Sequence, residues 1–199
     1  KMPGQTQFLP ERRKIISQIA VSLAAIPFTS LLYGMYRGKY NYKVLAYELN
    51  YDDLPDAFEG FKIVQISDIH SGSFDNSEKV QHGIDLVNTQ QADVVLFTGD
   101  LVNNRADEIH PWMKTFQQIK SKHGVYSVLG NHDYGDYTQW ESADAKKKNL
   151  DSLCVAQKEM GWDLLRNDSR FIEKEGQQLA LVGVENWGTG FKQAGDLEK

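Results

Sequence analysis

Cysteine is almost missing: Cys154 is the only one in 199 residues. That excludes a disulfide framework within the chain and leaves the redox compartment open. Basic residues are outnumbered, 22 Lys and Arg against 27 Asp and Glu, for a net charge of −5. Non-specific nucleic-acid binding needs a basic surface, so no nucleic-acid partner is expected. Histidine is scarce, five in all, and none follows His132. Repeats and low-complexity tracts are absent. Charge is missing altogether from residues 15–36, a run of 22. What remains suits a globular domain: a charged fraction of 25% and enough length for one full core.

The charge-free run marks a change of composition near Asn41. It is preceded by "ERRK" (Glu11 to Lys14) and is long enough to cross a bilayer as a helix. Ser17, Gln18, Ser22, Pro27, Thr29, Ser30 and Gly34 weaken it, so interfacial, re-entrant and export-signal readings stay open. Arg12-Arg13 resembles a twin-arginine export signal loosely. The alternative is a buried amphipathic helix. We expect residues 1–42 to be a basic and apolar segment that makes membrane contact through residues 15–36. Residues 43–199 are then the N-terminal portion of a separate domain. Basic residues flank the run on both sides, so sidedness is undetermined.

From Tyr42 the pattern alternates between strand and helix. Residues 43–51 read as an opening strand, and 52–60, with Pro and Gly, as a connection. Residues 61–67, 93–98 and 124–129 are short apolar runs of strand length. Helices are expected between them: Val80, Ile84 and Val87 share one face, and Ile109, Trp112, Phe116 and Ile119 share another, entered through Pro111. A charged helix over residues 144–160 follows. "WDLLRN", "RFIEKE" and "LALVGVE" read as further strands, the last two joined at Glu175-Gly176-Gln177. This order implies an α/β sandwich with a largely parallel sheet.

Three polar clusters follow three of those strands. "SDIH" contains Asp68 and His70, "TGDLVNNR" contains Asp100, and "GNHD" contains Asn131, His132 and Asp133. The clusters are spaced by about one strand–helix–strand unit. Each therefore sits at the carboxyl end of its strand, on the edge where open α/β sheets bind ligands. Adjacent strands are about 4.8 Å apart, so three strand ends can converge. Carboxylate, imidazole and amide donors suit Mn, Fe or Zn better than a thiolate-seeking metal. Two such ions about 3.5–4 Å apart would clamp a phosphate and acidify a bridging water. His132 is placed to protonate a leaving oxygen. Asp133 either orients His132 or holds the turn.

"DIH", "GDLV" and "GNHD", in this order and spacing, resemble the calcineurin-like metallophosphoesterase superfamily. "KIVQISDIHSGSF" is most similar to a branch of bacterial membrane-associated or exported phosphohydrolases, some of which act on lipid-linked pyrophosphates. The resemblance implies a four-layer αββα sandwich, incomplete at the C-terminus. It implies two divalent ions (Mn, Fe or Zn), with Asp68, His70, Asp100 and Asn131 as ligands and His132 as the catalytic residue. The activity implied is hydrolysis of a phosphoric ester or anhydride by a metal-bridging hydroxide. The substrate would be a phosphate-containing small molecule or lipid at the bacterial inner membrane.

The departure is the lack of later histidines. The family pattern continues with a single His and then a Gly-His-x-His block, three ligands that these residues do not contain. We expect truncation of an active enzyme, the alternative being a degenerate, non-catalytic module at a membrane. Asn103, Asn104 and Arg105 meet a substrate phosphate or form an ordinary polar loop. Tyr137 and Trp140 line a cleft or simply pack. His82 and His110 are expected on helix surfaces, His123 in a loop, and Cys154 in the core.

Overall fold

The computed structural model describes residues 10–188, 190, 191 and 193–196, the side chains of Pro10, Tyr36 and Arg37 excepted. The chain divides into two units, Lys1–Ala46 and Tyr47–Lys199.

In the first unit one helix, α1 (Pro10–Arg37), takes up the charge-free run. Its 28 residues span about 42 Å at 1.5 Å per residue, more than a bilayer core needs. Ile15, Ile16, Ile19, Val21, Phe28, Leu31 and Met35 are all exposed. At 100° per residue they leave open a sector of about 120°, where Gln18, Ser22 and Thr29 lie. That stripe carries no charge, whereas an interfacial helix keeps a strongly charged face, so a span fits better. Two of the polar residues that weaken the run in sequence are internally satisfied. Thr29 Oγ1 donates to Ala25 O at 2.7 Å, and Ser30 Oγ to Ile26 O at 2.8 Å, beside Pro27. Hydroxyl back-bonding of this kind is how polar side chains and proline are tolerated in apolar surroundings.

Residues 43–51 are not the expected strand. They have no regular structure, and Leu45, Tyr47, Leu49 and Tyr51 are exposed. Alternation specifies a strand only where a neighbour completes the ladder, and none among the described residues pairs here.

The second unit is built on a four-stranded parallel sheet in the order β1 (Ile63–Ile66), β2 (Val94–Phe97), β3 (Val125–Ser127), β4 (Trp162–Leu164). Parallel strands in sequential order need right-handed crossovers, which stack the connecting helices on one face. On that face Phe97 of β2 and Phe116 of α3 (Met113–Phe116) meet Trp162 of β4, at ring separations of 5.3 and 6.0 Å. The helix α2 (Ser77–Thr89) buries Val80 and Ile84, as its periodicity predicts, and is capped by Asn76, whose Oδ1 accepts Lys79 N–H at 2.9 Å. The helix α4 (Ala143–Glu159) is capped by Ser142 and buries Leu153 and Ala156. Cys154 lies on α4 only partly buried, and burial pushes its thiol up.

The opposite face is covered by a hairpin, β5 (Asp168–Lys174) and β6 (Gln177–Gly183). Its two turn residues, Glu175 and Gly176, have φ of 53° and 78°, the mirror-image turn whose twist suits a hairpin. Ile172 and Leu179 of the hairpin pack on Val94, Leu96 and Tyr126 of the sheet, with Phe58 buried between. The described residues thus form a helix layer and two β layers. These are three of the four layers that the resemblance implies.

One expected helix is divided. Residues 106–112 form a 3-10 helix and only Met113–Phe116 is α-helical. Pro111 supplies no N–H for a continuous ladder. Ile109, Phe116 and Ile119 are nevertheless buried, so the apolar periodicity was sound and the hydrogen-bond pattern was not.

Candidate functional site

The three clusters arise from level strand ends. Ile66 is in register with Phe97, and Phe97 with Ser127. Beyond those residues the loops stay zipped together. Asp68 N–H donates to Gly99 O at 3.1 Å, His70 N–H to Asp100 O at 3.0 Å and Ser71 N–H to Leu101 O at 3.0 Å.

Asp68, His70 and Asp100 have φ of 53°, 46° and 61°. The left-handed region costs a non-glycine residue about 1–2 kcal/mol, so three such residues need a framework that holds them. Part of that framework is two glycines in close contact. Gly99 (φ 104°) and Gly130 approach so tightly that a Cβ on Gly99 would collide with Gly130 N. A Cβ on Gly130 would collide with Asp100 Oδ1 and lie 2.8 Å from Asp100 Cγ.

The rest is Asp133. Its carboxylate is fully buried. It accepts the N–H groups of Asp100 (2.9 Å), Leu101 (2.8 Å), Val102 (3.2 Å) and Gly130 (2.9 Å). Burial pushes its carboxyl up to about 7, Gly130 and Val102 N–H bonds pull it down, and the Asp100 charge pushes it up. All four partners are donors, so the loop is built around the ionised form. Of the two roles open in the sequence, Asp133 holds the turn and does not orient His132.

His132 is oriented instead by Asn103, whose carbonyl lies 2.7 Å from Nδ1. A carbonyl only accepts, so Nδ1 carries the hydrogen and Nε2 is the free ring nitrogen. The His132 and His70 rings are perpendicular with centroids 4.7 Å apart. His132 N–H also donates to Asp100 Oδ1 at 2.9 Å.

His70, Asp100 and His132 form a group whose ligand atoms all lie within 4.8 Å of one another. His70 Nε2 is 3.9 Å from Asp100 Oδ2 and 4.0 Å from Asp68 Oδ1. Ser67 Oγ donates to Asp68 Oδ2 at 2.6 Å. The donors are imidazole nitrogens and carboxylate oxygens with no thiolate, a set that fits a divalent ion such as Mn, Fe or Zn. Asn131 is adjacent in sequence, its amide Nδ2 donating to the Tyr137 hydroxyl at 2.7 Å.

Arg105 is exposed and stacks over the Trp140 ring at 4.8 Å, while Trp140 Nε1 donates to Gly135 O at 2.7 Å. Asn103 Nδ2 donates to Ser73 Oγ at 3.1 Å. The remaining histidines fall as expected: His82 and His110 are exposed, and His123 is in a loop against Phe61.

Sequence reasoning missed Glu108, whose carboxylate accepts the N–H groups of Asn103, Asn104 and Arg105 and shapes the loop after Asp100. The Glu108 bond to Arg105 N–H is only half of a capping box, because Arg105 is not the Ser or Thr that the sequence signal requires. Tyr137, expected to line a cleft or simply pack, instead bonds the Asn131 amide and lies against the His132 ring.

Comparison with known proteins agrees with this geometry. Residues 61–187 match the family model described as "Calcineurin-like phosphoesterase". Residues 2–39 match one described as "Probable Calcineurin-like phosphoesterase, transmembrane domain". Together with the length and apolar surface of α1, the second match supports membrane association. Among similar proteins, a Danio rerio "Transmembrane protein with metallophosphoesterase domain" is 29% identical over 62% of this chain and 27% of its own length. The Bacillus subtilis "Uncharacterized metallophosphoesterase YkoQ" is 26% identical over 86% of this chain and 60% of its own. A Helicobacter pylori "Uncharacterized metallophosphoesterase" is 31% identical over 64% and 34%. The chain therefore spans less than two thirds of the length of these relatives. They come from bacteria and a vertebrate alike, so the likeness does not assign a bacterial source. The matched stretch begins at the residues leading into β1 and runs through all three strand-end clusters and the hairpin, and the chain belongs to the calcineurin-like phosphoesterase family.

Proposed function

We propose that the whole protein is a metal-dependent hydrolase of phosphoric esters or anhydrides that uses two divalent ions. The observation that supports this reading is the convergence of His70, Asp100 and His132 at level strand ends, with Asp68 beside them. Asp68 and His70 would hold one ion, Asp100 would bridge, and Asn131 would serve the other. Divalent ions held there supply Lewis-acid stabilisation of phosphoryl charge and acidify water for attack.

The chain's own residues set the rest. The Asn103 carbonyl fixes His132 Nδ1–H, so a proton carried on Nε2 can pass to the leaving oxygen. Arg105, its guanidinium face against Trp140, keeps N–H groups for a phosphate oxygen. Asp133 holds the loops and takes no part in proton transfer. The apolar α1 favours a membrane-proximal, lipid-linked phosphate as substrate. For a bacterial protein the inner membrane would be its location.

The test is Mn²⁺-dependent hydrolysis of an aryl phosphodiester by the full-length protein. Asp100→Ala should abolish turnover. His132→Gln should lower kcat by about 10²–10⁴ while Mn²⁺ still binds. Wild-type protein that binds Mn²⁺ but turns over no phosphate ester or anhydride would favour the non-catalytic alternative. Loss of Mn²⁺ binding in His132→Gln would make His132 a ligand instead of the acid.

A further inference from the structure

The chain after His132 doubles back over the site. The 3-10 turn His132–Tyr134 ends at Gly135, whose φ of 66° reverses the chain. The Trp140 indole locks that reversal by donating to Gly135 O. Tyr137 is thereby carried back onto Asn131 and His132, at the start of the turn. Its ring lies against His132, 4.4 Å between centroids at 30°. Its hydroxyl accepts Asn131 Nδ2–H at 2.7 Å. Tyr137 is 50% exposed, so its pose does not come from burial in a core.

An asparagine amide has one end that can bind a cation and one that cannot. Rotation about Cβ–Cγ exchanges them. A partner that accepts from Nδ2 selects the rotamer with Oδ1 turned away from that partner. We propose that Tyr137 is a positioning residue of the metal site: its hydroxyl holds the Asn131 amide so that Oδ1 is available to an ion, and its ring braces His132. This rests on the reading of Asn131 as a metal ligand.

The test is titration of metal-free, full-length protein with Mn²⁺ alone, followed by electron paramagnetic resonance of the free ion. Orienting partners of metal ligands are worth about 10–100-fold in affinity. Tyr137→Phe should weaken one class of Mn²⁺ site by about tenfold and leave the other unchanged. Asn131→Ala should weaken that same class, and adding Tyr137→Phe to it should cost nothing more. Wild-type affinity in Tyr137→Phe overturns the proposal. So does a further loss in the double variant, because Tyr137 would then act through something other than Asn131. If Asn131→Ala itself leaves Mn²⁺ binding intact, the ligand assignment falls and takes the proposal with it. Tyr137→Leu, which also removes the ring, should lower kcat below that of Tyr137→Phe; equal kcat values overturn the bracing role.

Discussion

Asp133 holds Asp100 by its backbone N–H and not by its side chain. The Asp133 carboxylate accepts Asp100 N–H at 2.9 Å, and the Asp100 carboxylate accepts the N–H of neighbouring His132 at 2.9 Å. The second and third strand-end loops are thus bonded in both directions. The site inherits its geometry from this exchange.

Asp133→Asn should therefore destabilise the domain. One carboxylate oxygen becomes an NH₂ facing N–H donors, leaving buried donors without an acceptor. That costs about 1–3 kcal/mol per group, and two are served by each oxygen. Chemical denaturation should show a loss of about 2–5 kcal/mol. Unchanged stability would mean the loops are held by other contacts.

Gly130→Ala tests the close approach. The added methyl would displace the Asp100 side chain, and overpacking of this kind costs about 1–3 kcal/mol. Because the displaced group is a proposed ligand, Mn²⁺ affinity should fall as well. A variant with normal Mn²⁺ affinity and only lower stability would separate the packing from the site.

Stability should decline in acid through Asp93. Burial raises its carboxyl, but the Lys122 ammonium and the Lys62 N–H, each at 2.7 Å, outweigh it and hold it below its ordinary value of 3.8. A depressed carboxyl contributes stability above that ordinary value and loses it as pH falls through the folded one. Asp93→Asn should be less stable than wild type at pH 7, with the gap closing below pH 3.8. Parallel pH curves for the two proteins would contradict this. Lys122 is largely exposed, so salt should weaken its share more than that of the backbone bond.

Deleting residues 1–40 should move the protein from the membrane fraction to the soluble one, since α1 carries the apolar surface that needs lipid. Fractionation of cells expressing both forms reads this directly. An unchanged membrane fraction would place the attachment elsewhere.

Much of the site was legible in the chain because its ligand-type residues follow strand ends at a regular interval. Apolar runs of strand length are local signals, and so are capping asparagines and the helical spacing of Val80 and Ile84. The strand expected at residues 43–51 failed because a strand is a paired object and its partner is not written beside it. The helix expected around Pro111 failed for a local reason, a missing N–H, that the apolar spacing concealed.

The sequence alone determined the parallel α/β core, the membrane-length run and the strand-end clusters, since each depends on periodicity or spacing within some thirty residues. Only the tertiary structure decided the roles inside "GNHD". Asp133 serves four backbone N–H groups, three of them more than thirty positions away. His132 takes its orientation from Asn103, and Asn131 its amide partner from Tyr137. Those assignments depend on which way loops turn at a shared sheet edge, and one chain read in order holds no record of that.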